Sequence, residues 1–328
     1  MTDRSISVVV PAFNSEATIE KCLEALAAQS LPPLEVIVVD DGSTDGTAAL
    51  ARRHTWVLSN PRTRGPAGAR NAGAYLARGG IIAFTDSDCI PPRDWLKNIA
   101  AALSDENTGA VGGGYSCGAD GSFWQVFSCE ELAFRRRKRS GRVTTLVSNN
   151  FACRRESFIA LGGFPEQYRV CEDMFFSYKM SRKSRVLWLA DNGVGHHFKT
   201  SLGGYLKHQY FFGAESTRFF MENSRLLGVG NHQGRRLHAA IAFAWGTMVF
   251  VAVGMALVAG GNMWIAGLFF PLSLMLLAAH GACYAGFIAY LAGQKFPWQL
   301  QAYGVCFLRD VVCGFSFFDG IVRVFLKR

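Results

Sequence analysis

A chain of 328 residues is long enough for one large or two ordinary domains with a full core, and its 18% of charged residues are unevenly placed, with few ionisable groups between His238 and Gln294. That asymmetry predicts a soluble part joined to a membrane part. The formal net charge of +9 suits anionic lipid or phosphorylated substrates, and nucleic acid is set aside because no recognised binding module accompanies the charge.

The nine cysteines form no CxxC pair and are expected to be free thiols. Met1 to Ser5 passes into a strand without a basic region, an apolar segment of signal length or a cleavage site, which predicts a cytoplasmic soluble part. Ile6 to Val10 is a short, β-branched apolar run of the kind covered on both faces of a sheet, and Pro11 ends it. Ile19, Cys22, Leu23, Leu26 and Ala27 then recur at helical spacing, with Ser15 as the expected cap and Glu16 near the positive end of the helix dipole. Val36 to Val39 is a second buried strand, and Asp40-Asp41-Gly42-Ser43-Thr44-Asp45 follows as a polar turn, completing a βαβ unit.

Arg64 to Gly73 is a glycine-rich turn feeding a helix, without the spacing of a dinucleotide or P-loop fingerprint; Arg70 suits a phosphate or ribose there, or is a surface arginine. The apolar run Ile81 to Thr85 ends at Asp86-Ser87-Asp88. On an extended chain alternate side chains share a face, so Asp86 and Asp88 are expected to converge on one hard cation, Mg²⁺ or Mn²⁺, with Ser87 turned away. Pro11 to Glu16, Asp40 to Asp45 and Asp86 to Asp88 all follow strands, where open α/β sheets bind ligands, and a nucleotide suits the shared crevice. Gly112-Gly113-Gly114 is expected in a strand whose backbone is closely approached.

Trp124 to Phe134 runs into Arg135-Arg136-Arg137-Lys138-Arg139, an aromatic and basic segment suited to anionic headgroups or an acceptor diphosphate, or else a solvated basic loop. Leu161 to Glu166 is a helix stop, and Glu172-Asp173 opens another helix, whose dipole is expected to keep an acid ionised as a base for a sugar hydroxyl. Val186 to Ala190 is a last strand, followed on a loop by His196-His197, where an imidazole either completes a metal site or is merely exposed. Ser201 to Leu227 predicts one or two amphipathic interfacial helices, Leu237 to Ala259 a span, and Trp264 to Leu291 a second span that is tilted, overhanging or broken near His280-Gly281. Flanking positive charge places both ends of this hairpin in the cytoplasm. Phe296 to Arg328 carries Arg309, Asp310, Asp319 and Arg323 and is expected to be interfacial or re-entrant.

The segments Val8 to Glu16, Val36 to Asp45, Gly68 to Gly73, Asp86-Ser87-Asp88, Gly162-Gly163-Phe164 and Glu172-Asp173 stand in the order of, and together resemble, the inverting family 2 glycosyltransferases of the GT-A fold. The membrane tail is similar to that of enzymes building bacterial exopolysaccharide, succinoglycan included. The resemblance implies an α/β GT-A domain over 1–200, interfacial helices over 201–236 and a membrane region over 237–328. It implies a nucleotide-sugar donor, UDP-linked by default, and a lipid-linked or envelope glycan acceptor. Pro11, Ala12, Asn14, Glu16, Asp40, Asp41, Arg70 and Asp86 would line the nucleotide; Asp86, Asp88, His196 and His197 would supply the metal ligands; Asp173, with Glu172 beside it, would be the base. The Gln-x-x-Arg-Trp motif of processive synthases is missing, which implies addition of a single sugar. A polyprenyl-phosphate sugar synthase and a catalytically silent membrane scaffold are the alternatives.

Overall fold

The computed structural model describes residues 4–59, 65–118, 122–136, 140–198, 200–226 and 235–326. The expected turn residue Arg64, the cations Arg137, Lys138 and Arg139, and Leu227 lie outside them. The chain begins β1 (Ile6–Ala12), α1 (Ile19–Ala27), β2 (Glu35–Asp40), α2 (Thr47–Ala51), β3 (Trp56–Ser59), α3 (Gly65–Leu76), β4 (Ile81–Thr85). It continues with β5 (Cys89–Ile90), α4 (Trp95–Ala102), β6 (Thr108–Tyr115), α5 (Phe123–Arg135), β7 (Gly141–Arg142), β8 (Asn150–Arg154), α6 (Arg155–Ala160), α7 (Glu172–Ser181) and β9 (Arg185–His196). Four long helices follow: α8 (Leu202–Glu222), α9 (Arg235–Ala259), α10 (Met263–Gly293) and α11 (Gln299–Leu326).

The strands form one nine-stranded sheet in the order β3-β2-β1-β4-β8-β6-β9-β5, with β7 also on β9. The first four are parallel, as the βαβ reading requires, and β8 runs antiparallel to both β4 and β6. The apolar runs explain the order. Every residue of β1 and β4 is buried, so both strands need cover on both faces and take the centre, while the thinner β3 takes an edge. Register Ala12↔Asp40 aligns the ends of β1 and β2, and the polar loops after them leave the sheet at one level. The close-approach expectation for β6 holds: a Cβ on Gly113 would stand 2.6 Å from the Asn192 carbonyl oxygen.

α3 is built from small residues, and a Cβ on Gly73 would stand 2.5 Å from a Val9 methyl, so glycine lets this helix lie directly on β1. α1 departs from expectation at its start. Ser15 receives the first helical N–H groups through its carbonyl, while its hydroxyl pairs with Ser87 at 2.7 Å and caps nothing.

The chain divides into two units. The first comprises Met1–Asp120 and Arg136–Phe198; the second gathers Gly121–Arg135, Lys199–Leu227 and Asn231–Arg328. α5, which a boundary at residue 200 assigns to the N-terminal domain, thus clusters with the C-terminal helices. In this helical unit α9 and α10 are long and apolar enough to cross a membrane by length and composition. α10 continues through His280 and Gly281 without a break, with Pro271 inside it. α11 is one helix, and Arg309 and Asp310 on it are buried. Their partners are Glu131, Tyr284 and His280: Arg309 donates to Glu131 and to the Tyr284 hydroxyl, and Asp310 Oδ2 lies 3.1 Å from His280 Nε2. Arg135 donates to Glu131 at 2.7 Å and so does the Tyr205 hydroxyl. Seven cysteines are free thiols, but Cys117 and Cys129 are disulfide-bonded, which corrects the expectation for those two.

Candidate active site

Three loops at the carboxyl ends of β1, β2 and β4 meet through short polar contacts. Asn14, in the left-handed region at φ 48°, donates its N–H to Ser43 Oγ at 2.9 Å and accepts from the Thr44 N–H at 2.9 Å. Asparagine tolerates that conformation better than most residues. Glu16 Oε2 accepts from the Gly46 N–H at 3.0 Å, a contact that braces the first two loops against each other. The Asp41 N–H donates to the Ala12 carbonyl at 2.9 Å, joining the first two loops beside Pro11. Asp40 and Asp41 are both buried. Asp40 Oδ1 holds the Ser43 N–H at 3.2 Å, and Asp41 Oδ2 holds the Gly65 N–H at the start of α3 at 3.0 Å.

Arg70 lies in the second turn of α3 and is only 4% exposed, not a surface arginine. Its Nη2 donates to Asp86 Oδ1 at 2.6 Å and its Nη1 to Glu172 Oε1 at 2.9 Å, so one guanidinium joins the acid after β4 to the acid opening α7. The neighbouring Asn71 fixes the approach to α7. Its amide donates to the Phe164 carbonyl at 2.8 Å, and its carbonyl accepts from the Phe164 N–H at 2.9 Å. Gly163, at φ +69°, permits this clamp, because a Cβ there would stand 2.7 Å from Asn71 Oδ1. Phe164 beyond it is buried against Phe84, Phe158 and Phe176.

The adjacent acids of α7 have different surroundings. Glu172 is buried, and its carboxyl is pushed up to about 8, first by burial and then by the neighbouring Asp173 charge, with Arg70 opposing. The expectation that the helix dipole keeps the acids here ionised therefore fails for Glu172: desolvation, with a second carboxylate adjacent, outweighs the dipole. Asp173 is half-buried; its Oδ2 accepts from the Ser148 N–H at 2.9 Å and its Oδ1 from the Met174 N–H at 2.7 Å. Cys171 before them has φ 65°, a left-handed position that a residue with a Cβ enters at a cost.

Asp86 and Asp88 part company. The chain turns here, the Cys89 N–H donating to the Asp86 carbonyl at 3.0 Å, so the expected extended geometry is replaced and the two carboxylates serve different partners. Asp88 Oδ1 stands 3.4 Å from His196 Nε2. The His196 ring is bracketed by Tyr115 and Phe198, and its Nδ1 is buried without a hydrogen-bond partner among the described residues. His197 lies one residue further, exposed, with its backbone N–H on the Asp88 carbonyl at 2.8 Å. Of the four expected metal ligands, the structure brings Asp88 and His196 together, holds Asp86 on Arg70 and leaves the His197 ring in solvent. Asp88, Cys89 and His196 form a group whose ligand atoms all lie within 4.8 Å of one another. Burial first, then Asp86 and Asp88, pushes the Cys89 thiol up. Nothing local marks Cys89, because its partner His196 lies on a distant strand; the adjacent Asp88-Cys89 pair is the one signal visible in the sequence.

Comparison with known proteins fits this arrangement. The model of "Glycosyl transferase family 2" matches residues 7–162. Glycosyltransferase AglE of Haloferax volcanii is 28% identical over 229 residues, 66% of this chain and 74% of that protein. Succinoglycan biosynthesis protein ExoO of Rhizobium meliloti is 37% identical over 139 residues, 39% of this chain and 38% of its own length. The pre-mycofactocin glycosyltransferase of Mycobacterium tuberculosis is 26% identical, and the match spans about half, 47%, of it. Among solved structures, the mannosyltransferase PcManGT of Pyrobaculum calidifontis, in complex with GDP-Man and Mn²⁺, superposes with a TM-score of 0.59 at 23% identity over 97% of this chain and 89% of that one, a likeness of fold. Six motifs in order, their loops assembled at one end of the sheet, and the family match over residues 7–162 agree: in this region the chain is similar to the family 2 glycosyltransferases, and it has a GT-A-like fold.

Proposed function

We propose that the chain is an inverting glycosyltransferase that moves one sugar from a nucleotide-sugar donor, UDP-linked by preference, to a hydroxyl of a lipid-linked or envelope glycan acceptor. The observation that carries this reading is the division of labour at α7. Glu172 is buried on Arg70, whereas Asp173 is half-buried and held by two backbone N–H groups, free to turn its remaining lone pairs toward an acceptor. A base must be accessible as well as oriented, and Asp173 is the acid that meets both conditions. Glu172 and Arg70 then serve as positioning residues, tying the base's helix to Asp86.

The nucleotide is assigned to the crevice lined by Pro11, Ala12, Asn14 and Glu16, with Asp40 and Asp41 accepting from base and ribose. Asp88 Oδ1 and His196 Nε2, 3.4 Å apart, offer an oxygen and a nitrogen that suit a divalent cation, Mn²⁺ or Mg²⁺. When bound there, such a cation supplies positive charge against a donor diphosphate. Asp173 takes the acceptor proton as the hydroxyl oxygen attacks in line, and the anomeric carbon inverts without a covalent intermediate.

The two apolar helices support a membrane role, in which positive charge before α9 and at Lys295 after α10 keeps both ends in the cytoplasm and the site meets a lipid-linked acceptor. The test is nucleotide diphosphate release by the full chain in detergent with membrane lipid extract, across UDP-, GDP- and dTDP-sugars with and without Mn²⁺. Release with one donor, lost in EDTA and in Asp88→Ala, is expected. Silence with every donor, together with no metal-dependent nucleotide binding, sinks the reading in favour of a scaffold.

A further inference from the structure

We propose that Asn150 is a positioning residue for the reaction, anchoring the turn whose Ser148 N–H orients Asp173. The inference rests on the reading of Asp173 as the base, and it adds a residue that acts on that base only through the backbone.

The sheet opens beside this residue. β6 and β9 pair in register as far as Gly113↔Leu189 and resume at Tyr115↔Val194, so β9 carries extra residues against β6. Ala190 and Asp191 take the excursion outward, exposed, and Asn192 returns buried. Ladder groups in such an irregularity need other partners. The carbonyls of Gly114 and Asn192 lie in this interval, and Asn150 Nδ2 donates to both, at 3.1 Å and 2.7 Å. Gly113 makes room for it, since a Cβ there would stand 2.8 Å from Asn150 Nδ2. Asn150 Oδ1 accepts from the Trp95 indole N–H at 2.9 Å. Carbonyls only accept and an indole N–H only donates, so the amide has one orientation here. Asn192 closes the far side: its Nδ2 donates to the Trp95 carbonyl at 3.3 Å, and its Oδ1 accepts from Asn98 Nδ2 at 3.0 Å. Asn150, Asn192 and Trp95 are all buried, which makes each of these bonds costly to lose.

A short path leads from this amide to the base. Asn150 opens β8 opposite Thr85 of β4, and the pairing of β8 with β6 stops one residue later, at Gly112↔Phe151. Its side chain therefore ties this end of β8 to β6 and β9 where the ladder does not. Its N–H closes a turn on the Val147 carbonyl at 3.2 Å. Inside that turn the Ser148 N–H donates to Asp173 Oδ2 at 2.9 Å. Just before it, the Leu146 N–H donates to Ser177 Oγ at 3.0 Å, and that hydroxyl donates to the Asp173 carbonyl at 2.6 Å. The segment grips α7 at two points, and Asn150 fixes the segment to the sheet. In-line attack tolerates little error in the direction of the base, and a displacement of about 1 Å costs on the order of 10²-fold in rate.

The test compares the full chain with Asn150→Ala in detergent. Amide hydrogen exchange read by mass spectrometry should quicken at least about tenfold over residues 146–150 and the first turn of α7, with the rest of the sheet unchanged. Nucleotide diphosphate release with membrane lipid extract should show kcat lower by about 10–100-fold, while nucleotide affinity moves less than about threefold. In an Asp173→Asn background the same substitution should change the residual rate less than about twofold, because Asn150 acts through that carboxylate. Trp95→Phe deletes the indole donor alone and should repeat the pattern more weakly, about two- to fivefold in kcat, so a misfolded Asn150→Ala does not decide the matter. Unchanged exchange, a rate loss equal in both backgrounds, or nucleotide binding weakened in step with kcat overturns the proposal and leaves Asp173 as the base. Full turnover in Asp173→Asn overturns the base reading and this inference with it.

Discussion

Each unit of the molecule buries arginine among carboxylates, and the balance of charge differs between them. In the sheet unit Arg70 is, among the described residues, the cation bonded to Asp86 and Glu172, with Asp173 adjacent, so one cation meets three acids. In the helical unit Arg135 and Arg309 meet Glu131 and Asp310, two against two, and the hydroxyls of Tyr205 and Tyr284 fill remaining bonds. A balanced, hydrogen-bonded cluster fixes helices in place, and removing one member leaves a buried charge exposed to its full desolvation cost. An unbalanced cluster cannot satisfy every acid at once. It leaves one carboxyl protonated at neutral pH and another available for chemistry.

The sharpest way to break that comparison is at the acids of α7. Asp173→Asn keeps the shape and removes the proton acceptor, so transfer to a hydroxyl acceptor should fall by about 10²–10⁴-fold with nucleotide binding retained, read by product formation and by nucleotide titration. Near-normal turnover would transfer the base role elsewhere, or identify an acceptor already ionised, such as a polyprenyl phosphate. In the helical unit Arg309→Met should act on stability instead. Stranding Glu131 and Asp310 should cost about 3–5 kcal/mol, seen as a large drop in thermal midpoint in detergent. A small shift there would show that Arg135, His280 and the tyrosines suffice.

The two clusters should also separate by pH. Glu172 in the folded chain titrates at about 8 against an ordinary value of 4.5, so between those values the folded state holds a proton that the unfolded state has lost. Stability should therefore fall as pH rises through that window, by at most about 1.4 kcal/mol per unit, and be unaffected by this group below it. Glu172→Gln should flatten that slope. An unchanged slope in the variant would assign it to another group.

Much of this site is written in short stretches of sequence. Asp40-Asp41, Asp86-Ser87-Asp88 and Glu172-Asp173 each follow or precede an apolar or helical pattern, and local pattern is what periodicity reads. Partner choice is written elsewhere. That Asp86 turns to Arg70 depends on α3 lying close on β1 through Gly73, and that Cys89 faces His196 depends on a strand pairing of long sequence separation. Charge in lipid is costly unless paired, and the partners that pair Arg309 and Asp310, Glu131 and His280, come from distant helices that local pattern does not identify. The same distance hid the membership of α5, whose aromatic and basic character was legible but whose packing partners Tyr205 and Phe287 were not.

The smallest expected effects concern two residues with side chains held at left-handed φ, one in each unit. Lys295, at φ 56°, follows α10, where its N–H reaches the Ala292 carbonyl and the Phe296 N–H reaches Leu291, the double bond of a helix end that favours glycine. Lys295→Gly should stabilise the chain by about 0.5–1 kcal/mol and leave turnover unchanged. Cys171, at φ 65°, precedes Glu172 and Asp173. Relief of strain in Cys171→Gly should raise stability by a similar amount, but if the left-handed turn orients the acid pair at the start of α7, turnover should fall while the thermal midpoint rises. Equal behaviour of the two variants would make Cys171 a turn residue like Lys295, and the unbalanced cluster would then owe its geometry to Arg70 and the Asn71 clamp alone.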